Sequence, residues 1–292
     1  MFHRTIASLL VCVLCVQAIA HDYWIVPSTF TPRLGEIVSL RTLVGDHYVG
    51  EPRPRDPTKL DRFVIAVPEG EVPVVGRDGE DPAGFIRIGA SGTYAVGYLS
   101  KFTKVTLAGH KFEEYLKERG LSEVAQARAA SGKADSDGNE RFLRCAKALL
   151  CVDGKPGPGF DHVFGFPVEL VPVSDPYLLK AGDSLKVKVL AAGKPMQGAL
   201  VIAMNKSDPA KTLSLTCDAQ GLVAVPLAAG GEWLLSVVKM APVTDPAAGV
   251  DWESYWGSLT FQLSDSGQAP ATTVPAVTSV PAAPEAPASP AR

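Results

Sequence analysis

From Gly35 the chain reads glycine, acid, then apolar residues alternating with mostly polar ones: Ile37, Val38, Ser39, Leu40, Arg41, Thr42, Leu43. A period of two after a turn predicts a half-buried strand. The same pattern returns at Gly182 and Asp183, followed by Ser184, Leu185, Lys186, Val187, Lys188, Val189 and Leu190. A second pair follows in the same order. Gly92, Thr93, Tyr94, Ala95 and Val96 match Gly231, Glu232, Trp233, Leu234 and Leu235, a glycine turn entering an aromatic strand. Upstream of the first pair, Phe30 and Tyr177 fall at the same offset. Two matches in one order predict two tandem β-sandwich domains of related, immunoglobulin-like design.

The first domain is placed at 21–172, with strands at 38–44, 62–67, 85–88, 94–100, 104–107 and 168–172. A helical insertion at 110–150 interrupts it. Two short helices, 111–119 and 122–130, break at Gly120, and Ser122 is a candidate N-cap. A third helix is predicted over 139–150, where Phe142, Leu143, Ala146, Leu149 and Leu150 fall at helical spacing. The second domain is placed at 173–264, with strands at 184–190, 199–205, 212–216, 223–226, 232–239 and 259–263. The fold class is thus all-β with a small helical insertion. Residues 265–292 are Pro, Ala, Thr, Ser and Val with almost no charge, a composition expected to be a disordered tail.

The 292 residues are 46% hydrophobic and 20% charged, with net charge −3, which argues against nucleic acid as a partner. Residues 1–20 have the form of a signal peptide. Arg4 precedes an apolar run from Ile6 to Val16, and Ala18 and Ala20 sit at the −3 and −1 positions of a cleavage site. The run is too short to span a bilayer, and no later stretch is long enough, so no transmembrane segment is expected in the mature chain. Cleavage between Ala20 and His21 predicts a periplasmic or secreted protein. Of the five cysteines, Cys145, Cys151 and Cys217 remain after cleavage. The compartment would allow Cys145 to pair with Cys151 across a loop, but on one helix they would face different directions.

Cleavage would leave His21 with a free α-amine. Amine and ring Nδ1 then close a six-membered chelate on one cation, which an internal histidine cannot do. Such nitrogens suit copper, nickel and zinc. His47, after the first strand, is the candidate second metal ligand. Asp22 is a further candidate at the site, either as a ligand or, with Asp46, as a carboxylate orienting a ligating ring. His110 reads as a solvated residue at a helix start, and His162, between aromatics, as a hydrogen-bonded one.

His21, Asp22, Tyr23 and Trp24 directly after the leader are followed by Pro27, Ser28, Phe30, Pro32, Gly35 and Glu36. Val44 and Gly45, then Gly50, Glu51 and Pro52, then Asp61, Arg62 and Phe63 follow, with Phe112, Tyr115 and Leu116 on a helix. Together they resemble the domain-of-unknown-function 4198 family of exported bacterial proteins, from His21 to about Leu263. The resemblance implies a periplasmic role in nickel or cobalt uptake. The second domain is also similar to prealbumin-like, carboxypeptidase-regulatory sandwiches, through Gly193, Lys194, Pro195, Met196, Gly198 and Ala199, the 216–221 turn, and Gly231, Glu232 and Trp233. Such modules are scaffolds or binding modules. This chain departs from relatives at Lys239, where a histidine often stands near the last core strand.

No nucleophile elbow, HExxH, Walker loop or dinucleotide fingerprint is present. Trp252, Tyr255 and Trp256 are read as a staple for a terminal strand rather than a sugar platform. Three functions stay open. One is a non-catalytic exported protein that binds copper, nickel or cobalt at His21 for a membrane metal transporter. Another is a metal-free interaction module docking on a cell-envelope protein. The third is a copper enzyme sharing the N-terminal histidine.

Overall fold

The computed structural model describes residues 21–264; the expected leader and tail lie outside the described residues. In chain order the first half forms β1 (Asp22–Pro27), β2 (Ile37–Asp46), β3 (Val49–Arg53), β4 (Leu60–Val67), β5 (Gly70–Pro73), β6 (Gly84–Arg87), β7 (Gly92–Ser100) and β8 (Thr103–Leu107). Helices α1 (Gly109–Glu118) and α2 (Ser122–Ala130) follow, then β9 (Gly138–Val152) and β10 (Val168–Pro172). The second half adds β11 (Ser184–Ala191), β12 (Lys194–Pro195), β13 (Leu200–Asn205), β14 (Thr212–Thr216), β15 (Leu222–Pro226), β16 (Gly231–Pro242) and β17 (Trp252–Leu263).

The repeat in the sequence is a repeat of strand pairing. β2 holds β1, β3 and β6 in one four-stranded sheet; β11 holds β10, β12 and β15 in another. The two Gly-acid motifs thus open the central strand of each small sheet. The two glycine-aromatic motifs open β7 and β16, which take equivalent places in a large sheet of order β14-β13-β16-β17-β9-β7-β4-β5, with β8 paired to β9. The two halves meet at β9 and β17, which run parallel from the pair Trp252 and Glu140 to the pair Thr260 and Ala148.

Residues 139–150 are strand, not the third helix that their apolar spacing suggested. The reason is burial on both faces. The even residues Ala146, Ala148, Leu150 and Val152 pack with Ile25, Val38 and Leu40 under the β2 sheet. The odd residues Leu143, Cys145 and Leu149 pack with Leu170, Val187 and Val225 under the β11 sheet. A strand covered on both sides loses its alternation and reads as a continuous apolar run, which periodicity alone cannot tell from a buried helix. The two short helices fall close to where predicted, but Leu121 rather than Ser122 takes the α2 N-cap position and no side chain caps it; α1 lays Phe112, Tyr115 and Leu116 against Trp256 and Met240.

The three thiols are free and buried. Cys145 and Cys151 are six residues apart on β9, roughly 20 Å at the rise of a strand, far beyond disulfide reach. Burial pushes both thiols up to about 12.

Across the large sheet, Ser258 and Thr260 of β17 donate to the carbonyls of Tyr23 and Ile25, each at 2.7 Å. These bonds fix β1 over the β9–β17 seam. On the opposite face, Lys147 of β9 reaches Glu169 of β10 at 3.1 Å, both 2% exposed.

Candidate functional site

β1 begins at Asp22, which pairs with Gly45 of β2, so His21 sits at the strand's open end beside Asp46. Three contacts hold it there. The His21 ring Nε2 lies 3.2 Å from Asp46 Oδ2. Its carbonyl accepts from the Arg144 guanidinium below. The next residue, Asp22, is buried and ion-paired to Arg119 at 3.0 Å. Asp22 is therefore turned into the protein and anchors β1. His47 is exposed on the β2–β3 turn, in the left-handed region at φ 50°. Among the described residues, no group of three or more His, Cys, Asp or Glu side chains is placed to hold a metal ion.

His21 stands at a cavity of about 800 Å³ between the β1–β2 end of the small sheet and the first half of β9. Glu140, Phe142 and Arg144 alternate onto the same face of β9 and line it, with Tyr23, Tyr98 and Trp256 opposite or beside them. Arg53 and Lys59 lie at its edge among the exposed lining residues.

Arg144 is gripped by two rings, with its guanidinium carbon 4.8 Å from the Phe142 centroid and 4.7 Å from that of Trp256. Trp256 in turn stacks on Tyr115 of α1 at 5.4 Å and 17°, and carries Arg119 on its ring at 4.9 Å. Burial pulls the guanidinium down to about 10, so it stays charged at neutral pH.

Glu140 is 3% exposed. Its Oε1 accepts from Ser254 at 3.2 Å, while its Oε2, closed off from solvent, meets no donor at close hydrogen-bond distance among the described residues. The buried Tyr115 hydroxyl lies near enough to act on this carboxyl, though among the described residues it too makes no close hydrogen bond. Loss of water pushes the Glu140 carboxyl up to about 7, against the smaller opposing pulls of Ser254, Arg144 and Tyr115.

Sequence reasoning reached His21 and Asp46 but missed Glu140 and Arg144. A helix reading of 139–150 hid them. Read as a strand, the even series is apolar from Ala146 to Val152 and charged at 140 and 144, and that break marks the cavity floor. His162 lies away from the cavity, with Nε2 3.2 Å from Glu71 and its ring edge-on to Phe164. Trp256 packs with Tyr115 and Met240 under α1, not in the sandwich core into which its cluster was expected to staple the last strand. No helix among the described residues is long and apolar enough to cross a membrane.

A sandwich-built, all-β chain with a polar-floored cavity at one sheet end is the class this geometry defines. The chain belongs to the family described as a domain of unknown function, DUF4198, whose profile matches residues 18–241. No curated protein matches it. Among solved structures it is similar to the FdeC adhesin of Escherichia coli at 15% identity and a TM-score of 0.21, covering 83% of this chain. The chain spans 64% of that adhesin structure. Three N-terminal domains of the highly immunogenic outer capsid protein of bacteriophage RB49 match at 6% identity and a TM-score of 0.22, over 84% of this chain and 71% of that one. Superpositions this loose fix neither a shared topology nor a shared role.

Proposed function

We propose that the chain is an exported binding protein that takes copper, nickel or cobalt on the α-amine and ring Nδ1 of His21, once the leader is removed after Ala20. It works in metal uptake, passing the ion to a membrane transporter. The observation that supports this best is the 3.2 Å contact between His21 Nε2 and Asp46, which leaves Nδ1 for the chelate. A carboxylate on the far ring nitrogen is the usual way a ligating histidine is oriented. The surrounding contacts hold the chelate ready. Arg144 fixes the His21 carbonyl, and the Asp22–Arg119 pair fixes the residue that follows. His47, one residue beyond Asp46, is the second-ligand candidate. The leader spacing supplies the free amine.

The test is calorimetric titration of copper(II) and nickel(II) into the chain starting at His21, beside a chain with one alanine added ahead of it. The added residue destroys the chelate ring and leaves the fold. Binding at one site in the first chain and none in the second is expected. Equal affinities overturn the reading. Asp46→Asn is expected to weaken binding by about 10–100-fold, the scale of a lost orienting partner.

A further inference from the structure

Arg144 is a cation without an anion. Every other buried or part-buried arginine among the described residues is ion-paired to a carboxylate, as Arg119 is to Asp22 at 3.0 Å and Arg128 to Glu113 at 2.7 Å. Arg144 forms no ion pair among the described residues; it has the His21 carbonyl on Nη1 and the rings of Phe142 and Trp256. A charge set into a fold is normally paired, since losing water without a partner is costly. The groups whose charge acts on Arg144 do not fill that place. Asp22 is held by Arg119. Burial pushes the Tyr23 and Tyr115 hydroxyls well above their ordinary range, so both stay neutral. Glu140 keeps its proton up to about 7.

The spare donors open onto the cavity. Arg144 lines it and is only part-buried. No acceptor among the described residues takes Nε or Nη2, and neither atom is sealed from solvent as Glu140 Oε2 is. A guanidinium with rings against it offers its donors at the edge, where a carboxylate accepts two at once. The walls around it are largely apolar, from Tyr23, Tyr98, Phe142, Trp256, Val105 and Leu107. At the mouth, exposed Arg53 and Lys59 add positive charge that draws anions in. Asp56, the other lining carboxylate, lies 3.8 Å from Lys59.

These features select among ligands. A neutral ring compound would leave Arg144 unpaired. Phosphate would bring a second negative charge against aromatic walls and one open guanidinium. A single carboxylate on an apolar body of ring size matches floor and walls together, and about 800 Å³ is a usual volume for a small-molecule pocket. We propose that this cavity binds a small organic monocarboxylate with a ring-sized apolar body, its carboxylate on Arg144 Nε and Nη2 and its body against Tyr98, Phe142 and Trp256. The inference goes beyond the metal reading and does not rest on a metal at His21.

The experiment uses the chain starting at His21, freed of metal by dialysis against a chelator and held at mildly acid pH. It is titrated by calorimetry with benzoate, phenylacetate and cinnamate, each beside its carboxamide, and with acetate and inorganic phosphate. At least one ring carboxylate is expected to bind. Its carboxamide, which lacks the charge, and acetate, which lacks the body, are each expected to bind at least about tenfold more weakly. Arg144→Met should abolish binding. Because that change also frees the His21 carbonyl, Arg144→Lys is the decisive variant. It keeps the charge and a donor for that carbonyl but loses the planar donor pair, so binding should weaken about tenfold with the urea midpoint little moved. The proposal is overturned if no ring carboxylate binds, if the carboxamide binds as tightly, if phosphate binds more tightly than all three, or if Arg144→Lys leaves the affinity unchanged. Any of these would leave the His21 metal reading standing.

Discussion

Lys147→Met tests how the two faces of the large sheet are tied. Lys147 Nζ donates to Glu169 Oε2 at 3.1 Å and to the His162 carbonyl at 2.8 Å. Glu169 also accepts from the Phe164 and Phe166 amides, at 3.1 and 2.6 Å. The pair therefore joins β9 to β10 and holds the 162–166 segment. Methionine keeps most of the stem volume but removes the charge, stranding an ionised carboxylate in a site 2% exposed. Breaking one side of a buried pair costs about 3–5 kcal/mol. At about 2–4 °C per kcal/mol for a chain of this size, that is a fall in Tm of roughly 6–20 °C. The double variant Lys147→Met with Glu169→Gln removes both charges and should lie within about 2 kcal/mol of wild type. Urea unfolding followed by tryptophan fluorescence reads both. The reasoning fails if Lys147→Met alone stays within about 1 kcal/mol of wild type, or if the double variant is no better than the single.

Glu140→Gln should flatten the pH dependence of stability. In the folded chain Glu140 keeps its proton to about 7, against an ordinary value of 4.5, so folding takes up a proton between those values. Stability from this group is full below 4.5 and is lost as pH rises through about 7, an effect of up to about 3 kcal/mol. Urea midpoints at acid and alkaline pH should converge in the variant, and an unchanged difference would refute the assignment. Gly138→Ala would place a Cβ 2.2 Å from the buried Phe112 ring. It should destabilise the chain by about 1–3 kcal/mol in thermal unfolding, by pushing α1 off the sheet. Burial raises the three thiols to about 12, 12 and 11, so none should react with a thiol reagent at neutral pH until urea unfolds the chain. Modification of the folded protein at any of them would contradict the burial.

The small sheets were legible because each has one solvated side. β2 and β11 keep polar residues outward, so their alternation shows, and the Gly-acid turns mark where they start. β9 was not legible, since sheets cover it on both sides and its inward residues run together. Its parallel pairing with β17 joins positions more than a hundred residues apart and leaves no local pattern. β1 and β3 are short and begin or end among polar and proline residues, which read as loop. At the site, His21 was visible from the leader and Asp46 from its motif. Asp22 was not visibly an anchor, because its partner Arg119 comes from the end of α1, distant in sequence. Glu140 and Arg144 became readable only once the register of β9 was known.

The central claim is that His21 grips a cation with its own amine and Nδ1 while Asp46 holds Nε2. Pulsed electron paramagnetic resonance of the copper(II)-loaded chain starting at His21, with histidine labelled by nitrogen-15, measures this directly. The account predicts at least one directly bound imidazole and one bound amine, the amine and the His21 imidazole signals vanishing when an alanine precedes His21. A copper spectrum unchanged by that alanine, or one with no imidazole coupling, would contradict it.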